Sequence, residues 1–396
     1  MEIYLDNSAT TKVTEGVRDK LVQVLYEDYG NPSSMHRLGV KAEQHMKEAA
    51  AIIAGCLKVE PKEILFTSGG TEANNLALIG TALANRRRGS HIITTAIEHP
   101  SVHEPLAYLG ENGFSISRAP VDQSGRLEKD KLLELINDQT LIVSIMYVNN
   151  EIGSVQDVAA LAAAVKEKKK DILFHVDAVQ AFGKYKIYPK REGIDLLSFS
   201  GHKIHGPKGI GALYVSDKIK LNPIVFGGGH QRGLRSGTEN VPGIAGLGQA
   251  VKELYTGFEE KIERMYQLKQ RFLREVSRLE GVTINGIPPE CSGDFEMEQL
   301  KLTASHIMSV SFEGVRSEVF LHALEDKGIY VSSGSACSSH HPQPSVTLTS
   351  IALPKELMDS TLRFSMSGMT TEEEIEITLE SIRELLPVLR RYTRKK

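Results

Sequence analysis

The chain has 396 residues, enough for two or three folding units and for a large hydrophobic core that needs no disulfides. Its 47 Lys and Arg nearly balance its 50 Asp and Glu, and this formal net charge of −3 argues against polyanion binding as its main role. Three cysteines cannot form a disulfide framework, and no membrane-length apolar run or export signal is visible, so we expect a soluble cytoplasmic protein.

Short β-rich runs alternate with helical segments, a pattern that predicts a mainly parallel α/β sheet. The predicted strands are Glu63–Thr67, His91–Thr95, Leu141–Val148, Ile172–Val176, Ile194–Phe199 and Ile210–Val215. An Ala-rich helix is predicted over Val158–Lys169. Ligands gather at the carboxyl ends of such strands. The unusual polar motifs SGGTEANN, EHPSV, NNEIG, DAVQ and SGHK stand at those ends.

The rest of the chain reads as a connector followed by a smaller unit. Apolar residues at steps of three and four predict one long amphipathic helix from Val251 to about Leu279. Residues 286–306 have no regular apolar pattern and are predicted to form an irregular segment that extends from the small domain. A last helix is predicted over Thr371–Tyr392. We therefore expect a large domain over 15–255 and a small domain built from 1–14 and 256–396.

The segment Ser68–Glu72 (SGGTE) follows a strand and opens a helix. Free N–H groups, the close backbone approach allowed by Gly70 and the hydroxyl of Thr71 together suit a phosphate. A glycine turn with a helix cap is the simpler alternative for this segment alone. No Gly-Lys-Ser/Thr follows, which excludes a P-loop nucleotidase.

Lys203 lies in a glycine-rich turn after a strand, beside Ser200 and His202. A lysine there could be desolvated and form an imine, although most lysines are solvated surface charges. Lys208 is the competing candidate, but Lys203 matches the position of the other motifs. Asp177 ends an apolar strand, where its carboxylate needs a partner such as a protonated pyridine nitrogen. Helix capping is the alternative role for Asp177.

Other polar residues at strand ends have both functional and structural interpretations. His99 could stack on an aromatic cofactor and relay protons, or be structural. Asn150 belongs to a turn (NNEIG) that could also bind a ligand edge. Arg363 lies in a predicted strand, where its guanidinium could bind a carboxylate through two hydrogen bonds. The glycine-rich loop that ends at Thr238 could bind an anion in its own or a partner subunit's site, or be a bare loop.

Cys337 lies in a run of small residues, SSGSACSS, that gives a thiol little apolar cover. Cys56 fits a small buried residue, and Cys291 reads as an incidental surface thiol. His340 and His341 follow Cys337 and make a metal site conceivable. Too few ligands converge there, so we expect no resident metal, only a possible transient iron–sulfur contact at Cys337.

Together these segments resemble those of cysteine desulfurases, pyridoxal-phosphate enzymes of fold type I in the class V aminotransferase group. The resemblance runs from YLDNSATT at residues 4–11 to RFSMSGMTTEEEI at 363–375. Its specific parts are SGGTEANN, EHPSV, VNNEIG, HVDAVQ, SFSGHKIHGPKG, RSGTEN and SSGSAC, in the family's order. It implies a mainly parallel sheet flanked by helices in a large domain, with a smaller α+β C-terminal domain.

The resemblance implies a cofactor role for each motif. Lys203 would hold pyridoxal 5′-phosphate covalently, Asp177 would pair with the pyridine nitrogen and Gln180 with the ring oxygen. His99 would stack on the ring. The residues implied for the phosphate are Gly70, Thr71, Ser200 and His202, with Thr238 contributed by the neighbouring subunit of a homodimer.

The resemblance also implies how L-cysteine would be handled. Asn150 would lie against cofactor and substrate, Arg363 would bind the substrate carboxylate, and Cys337 would attack the substrate sulfur from a mobile loop at about 330–345. The products would be L-alanine and a persulfide on Cys337, to be passed to an iron–sulfur scaffold, a tRNA-thiolation enzyme or a sulfur carrier. No direct contact with nucleic acid or membrane is expected.

Three alternatives share the fold. A selenocysteine lyase would keep most of the cofactor site, so the sequence separates it poorly from a desulfurase. A class V aminotransferase has no need for a thiol such as Cys337. A catalytically silent sulfur-relay scaffold would bind no cofactor, and the intact set of Lys203, Asp177 and Thr71 argues against it.

Overall fold

The computed structural model describes residues 1–291, 293–333 and 345–393, with the side chain of the last of these left out. Cys337, His340 and His341 lie outside the described residues. The strands are, in chain order, β1 (Ile3–Tyr4), β2 (Ile64–Thr67), β3 (His91–Thr95), β4 (Ser115–Ala119), β5 (Thr140–Met146), β6 (Leu173–Asp177), β7 (Leu196–Ser200), β8 (Gly211–Val215), β9 (Val282–Asn285), β10 (Ile307–Phe312), β11 (Ile329–Tyr330), β12 (Ser332–Ser333) and β13 (Thr361–Ser365).

Seven of these strands form one twisted sheet in the order β2-β8-β7-β6-β5-β3-β4. Strands β7, β6, β5, β3 and β4 run parallel to one another, whereas β8 runs antiparallel to both of its neighbours, β2 and β7. Most of these strands are buried along their whole length, which is why they read as continuous apolar runs. The sheet confirms the predicted fold class.

The helices are α1 (Glu15–Tyr26), α2 (Arg37–Leu57), α3 (Gly70–Asn75), α4 (Thr81–Asn85), α5 (Pro100–Glu111), α6 (Lys129–Leu135), α7 (Val158–Lys168), α8 (Pro189–Glu192), α9 (Val241–Tyr255), α10 (Phe258–Val276), α11 (Met297–Leu300), α12 (Ser317–Glu325), α13 (Val346–Ser350), α14 (Lys355–Met358) and α15 (Glu372–Thr393). Several begin where a side chain accepts a hydrogen bond from a free backbone N–H of the first turn. Thr14, Asp157 and Asn240 cap α1, α7 and α9 in this way.

A second, antiparallel sheet in the order β12-β13-β10-β9 lies in the C-terminal region. It has its own hydrophobic core, to which Phe272 of α10, Phe312 of β10 and Phe364 of β13 contribute. The first residues of the chain join this core, because Ile3 and Leu5 pack in it and β1 pairs with β11. The domain boundary near residue 255 stays a prediction.

The long helix predicted from Val251 to Leu279 is wrong as a single element. The structure has two helices there, α9 and α10, which are separated at Thr256 and Gly257. Gly257 has a φ of 62°, a left-handed conformation that glycine adopts readily and that ends the helical path. The apolar spacing continues across the break because both helices bury one face.

Candidate active site

A cavity of about 500 Å³ opens at the carboxyl ends of β3, β5, β6 and β7. Its walls include ten of the residues predicted to bind cofactor or substrate: Gly70, Thr71, His99, Asn150, Asp177, Gln180, Ser200, His202, Lys203 and Arg363. They come from distant parts of the chain and meet because parallel strands end at one edge of a sheet. The strand-end motifs thus point into a single site.

Lys203 ends a short 3-10 turn, Gly201–Lys203, that directly follows β7. Its Nζ donates hydrogen bonds to the carbonyl oxygens of Ser8, at 2.5 Å, and Ala9, at 2.7 Å. The N-terminal segment therefore lies over the Lys203 amine. Lys208, the competing candidate, is exposed and does not line the cavity.

Asp177 is the last residue of β6, and it is only 4% exposed. The Nδ2 of Asn74 donates to its Oδ2 at 2.7 Å, and the backbone N–H of Val179 donates to its Oδ1 at 2.9 Å. Asn74 also donates to the Ser101 hydroxyl, so it fixes the carboxylate against the first turn of α5. The sequence reasoning missed Asn74, although it stands within the SGGTEANN motif.

Gln180 reaches the same cavity from the turn after β6. Its Nε2 donates to the Ser8 carbonyl oxygen at 2.9 Å, and its Oε1 accepts from the His306 Nε2 at 3.4 Å. Since an amide oxygen only accepts, these two contacts orient the Gln180 amide. His306 and Ser8 belong to segments to which the sequence reasoning gave no role.

His99 is the N-cap of α5, and its Nδ1 accepts a hydrogen bond from the Ser101 backbone N–H at 3.1 Å. Burial lowers the pKa of His99, and the nearby charge of Lys203 lowers it further while Asp177 opposes the shift. A neutral imidazole whose Nδ1 accepts carries its proton on Nε2. His99 can therefore offer one N–H to a group in the cavity.

At the other end of the cavity, the absence of a side chain at Gly70 lets another group lie close to the backbone. A Cβ on Gly70 would come within 2.7 Å of a methyl carbon of Val179, so glycine is required there. Thr71, Ser200 and His202 surround this point. Burial, together with the charges of Lys203 and Lys208, lowers the pKa of His202 to about 4, so the ring is neutral at pH 7. Its Nδ1 lies 3.3 Å from the Thr10 hydroxyl oxygen.

Arg363, on β13, lines the cavity from the C-terminal sheet, together with Ser332 of β12. It is 6% exposed, and its guanidinium donates to the Asn150 carbonyl oxygen and to Oδ1 of Asp6, each at 2.9 Å. Burial raises the pKa of Asp6, although Arg363 opposes the shift. The Nε of Arg363 is buried and has no hydrogen-bond partner among the described residues. Asp6 was missed, because nothing local in YLDNSATT indicates an arginine partner.

Thr238 does not line the cavity. It is exposed, in a loop whose Arg235 is paired with Glu72 at 2.9 Å. Its assignment to a neighbouring subunit's site stays a prediction. The assignments of Cys337 and of the 330–345 loop also stay predictions, because most of that segment lies outside the described residues.

The prediction of Cys291 as a surface thiol is wrong. Its side chain is buried, and its Sγ donates to the Gln299 carbonyl oxygen at 2.9 Å, so this part of the segment is better packed than its sequence indicates. Cys56 is partly buried, and desolvation raises the pKa of its thiol to about 11.

Within the described ranges, no cluster of three or more His, Cys, Asp and Glu side chains could hold a metal ion. No helix in these ranges has the length and apolar character needed to cross a membrane.

The chain is similar in sequence to proteins of a known family. Residues 3–378 match the Aminotransferase class-V family. A cysteine desulfurase IscS from Methanosarcina thermophila is 40% identical, over 98% of this chain and 93% of that protein. One from Proteus mirabilis is 42% identical, over 98% of this chain and 94% of its own length.

Solved structures give the same result. A NifS-like protein superposes with a TM-score of 0.89 at 36% identity, covering 98% of this chain and all of its own. A structure described as SspA in complex with cysteine superposes with a TM-score of 0.79 at 33% identity, covering 94% of this chain and all of its own.

Proposed function

The chain belongs to the Aminotransferase class-V family and is a cysteine desulfurase, and from this premise we propose that its cavity binds pyridoxal 5′-phosphate and L-cysteine. The observation that carries the proposal is that Lys203 and Asp177 line one cavity. An amine and a buried carboxylate are the two groups this cofactor needs, one for its aldehyde and one for its ring nitrogen. When bound, the cofactor withdraws electrons from the α-carbon of the substrate.

The side chains of the cavity fit the cofactor. The Asp177 carboxylate is buried and kept in place by Asn74 and Val179, as a partner for a protonated ring nitrogen must be. Gly70 leaves room for an oxyanion beside the backbone, where Thr71 and Ser200 can donate hydroxyl protons. Gln180 and His99 offer N–H groups between these two ends.

Arg363 is the residue that we assign to the substrate carboxylate. A guanidinium binds a carboxylate through parallel N–H groups, and its unpartnered Nε leaves one such group available. Asp6 balances the charge of Arg363 and orients it. The Asn150 carbonyl holds the other side of the guanidinium. Residues from both sheets thus place the substrate between Lys203 and Arg363.

We assign the sulfur-accepting step to Cys337. Its thiolate attacks the substrate sulfur, so that an S–S bond forms as the Cβ–S bond of L-cysteine breaks. The carbon skeleton gains a proton and leaves as L-alanine, and Cys337 is left as a persulfide. Lys203 and His99 are the cavity groups that can hold or deliver the protons of this exchange.

The proposal extends to partners. The persulfide passes to a protein acceptor, such as an iron–sulfur scaffold, a tRNA-thiolation enzyme or a sulfur carrier. A homodimer would let the exposed Thr238 reach a neighbouring cavity. A reducing cytoplasm would keep Cys337 as a thiol between turnovers.

The test is an absorbance spectrum of the purified protein before and after L-cysteine is added, with alanine and sulfide measured in the same tube in the presence of a thiol reductant, which releases the persulfide sulfur as sulfide. We expect a yellow band that shifts on substrate, with alanine and sulfide formed together. Cys337→Ala should keep the band and its shift but release neither product. Near-normal sulfide from Cys337→Ala would refute the assignment of the nucleophile. A protein that cannot be loaded with pyridoxal phosphate would refute the cofactor.

A further inference from the structure

A second lysine, Lys184, contacts the turn that presents Lys203. The Nζ of Lys184 donates a hydrogen bond to the carbonyl oxygen of Lys203 at 2.7 Å. The preceding residue, Gly183, has a φ of 78°, and a Cβ there would overlap the side chain of Leu254 at 2.0 Å. Glycine is therefore needed for the chain to turn Lys184 toward Lys203.

Lys184 also lines a second, small cavity, which shares no lining residue with the site described above. The cavity has a volume of about 30 Å³, enough for about one water molecule. Much of its wall is apolar, and the polar residues in the wall are Asn7, Thr11, Lys184, His205, Lys261, His306 and Ser367. Lys184 thus lies between the Lys203 turn and a small, mostly apolar cavity.

The groups that face Lys184 do not neutralise it. Desolvation, with a contribution from the charge of Lys203, lowers the pKa of Lys184 to about 7. Burial and the charge of Lys184 also lower the pKa of His205 and His306, which leaves both rings neutral. Lys261 donates to the backbone carbonyls of Glu253 and Thr256.

Glu253 is the acidic residue that acts on His205. The Glu253 carboxylate raises the pKa of His205 slightly against burial and accepts a hydrogen bond from Gln249 at 2.6 Å. The charge of Lys184 therefore acts on Lys203 as well as on the rings of His205 and His306. A cation next to an amine favours the uncharged form of that amine.

We propose that Lys184 is a positioning residue for Lys203. Its ammonium group holds the Lys203 carbonyl oxygen and so fixes the turn that carries the Lys203 side chain. When charged, it also disfavours a positive charge on the Lys203 nitrogen. The inference rests on the proposed function, since it concerns how Lys203 carries the cofactor.

The test compares Lys184→Met, Lys184→Gln and Lys184→Arg in the cofactor-loaded protein. The measurement is the pH midpoint at which the visible absorbance band of the Lys203-bound cofactor changes. With a pKa of about 7, Lys184 is charged below this pH, so its loss in Lys184→Met and Lys184→Gln should raise a midpoint at or below pH 7 by about one pH unit. Lys184→Arg keeps a donor and stays charged at every pH, so it should leave such a midpoint near the wild-type value and lower one that lies above pH 7.

Lys186→Met is the matched control, because Lys186 is two residues away, exposed and paired with Glu259. Its midpoint should equal that of the wild type. If circular dichroism shows that Lys184→Met is unfolded, the pair Lys184→Gln and Lys184→Arg still compares an uncharged with a charged side chain at this position. Unchanged midpoints in all Lys184 variants would overturn the inference while leaving the proposed function standing. A wild-type protein without the band would overturn both.

Discussion

The two sheets of this protein contribute to its cavity in different ways. The seven-stranded sheet ends several parallel strands at one edge, and His99, Asn150, Asp177, Ser200 and Lys203 follow or end them. The antiparallel sheet of the C-terminal region supplies Arg363 from within β13 and Ser332 from β12. One region gathers the groups that we propose for the cofactor, and the other adds the group that we propose for the substrate carboxylate.

Strand direction explains this difference. Parallel strands align their carboxyl ends, so a sheet edge collects the polar residues of many separate motifs. Antiparallel strands alternate in direction, so each edge of such a sheet has both amino and carboxyl ends of strands. Functional residues of separate motifs are then not collected at one edge. Variants in the first region should therefore affect cofactor binding, and variants in the second should affect substrate binding or stability.

The largest expected effect belongs to Lys203→Ala. Because Lys203 is the proposed attachment point, this variant should lose the yellow band and all measurable formation of alanine, a loss of at least about 10³-fold. Absorbance and an alanine assay measure both. Lys208→Ala, which changes an exposed lysine five residues away, should behave as the wild type. A yellow, active Lys203→Ala would contradict the assignment.

Arg363→Met tests the single cationic contribution of the antiparallel sheet. Loss of a charge-assisted contact to the substrate carboxylate should lower kcat/KM for L-cysteine by about 10- to 100-fold, mostly through KM. The cofactor band should persist, since none of the proposed cofactor contacts uses Arg363. Steady-state kinetics with a parallel spectrum give the result. If the band were lost and KM unchanged, the division between the two sheets would be wrong.

Lys269→Met tests the stability of the C-terminal region. Lys269 is 1% exposed, and its Nζ donates to the Thr303 hydroxyl and to the carbonyls of Ala304 and Ile307 at 2.7–3.0 Å. Removing these donors leaves buried acceptors unpaired and should cost about 1–3 kcal/mol of unfolding free energy. Exposed Lys301→Met should cost less than about 0.5 kcal/mol. Urea unfolding measures both.

The same lysine makes stability depend on pH. Desolvation lowers the pKa of Lys269 to about 7 in the folded protein, against 10.5 for the ordinary side chain. Between these values the unfolded chain binds more protons, so the Lys269 contribution to stability rises as pH increases from about 7 to 10.5. Lys269→Met should flatten this rise. A wild type and variant with parallel stability–pH curves would refute it.

The smallest effects are expected for the two described thiols, one in each region. Cys56, with its pKa near 11, should react with iodoacetamide about 100-fold more slowly than free cysteine at pH 8. Cys56→Ser should leave turnover unchanged and shift the free energy of unfolding by less than about 1 kcal/mol. Mass spectrometry of the alkylated peptides measures the rates. Rapid labelling of Cys56 or Cys291 would show that packing does not protect them.

The sequence predicted the large sheet and the cavity residues on it because both signals are local. A buried strand shows as an apolar run, and a polar residue directly after it stands out, as Asp177 and Lys203 do. Asp6, Asn74 and Lys184 reach the site only through tertiary contacts. No periodicity marks such residues.

Periodicity also misled where it was clearest. The spacing of apolar residues predicted one helix through residue 257, since the buried faces of α9 and α10 stay in phase. The conformation of Gly257 decides the break, and a glycine is the only local sign of it. The burial of Cys291 likewise has no local sign in the sequence. Its partner, the Gln299 carbonyl oxygen, is a backbone group that no sequence pattern marks.

The pairing of the chain's first strand with one near its end has a consequence for synthesis on the ribosome. Ile3 and Tyr4 pair with Ile329 and Tyr330, and the Ser8 N–H binds the Ser365 hydroxyl. At about 5–20 residues per second, the first strand waits roughly 15–70 s for these partners to be made. The Ser8 carbonyl also holds Lys203 and Gln180. The amine of Lys203, our proposed attachment point for the cofactor, is therefore set in place only when translation is almost complete, which keeps truncated chains from acquiring a finished active site.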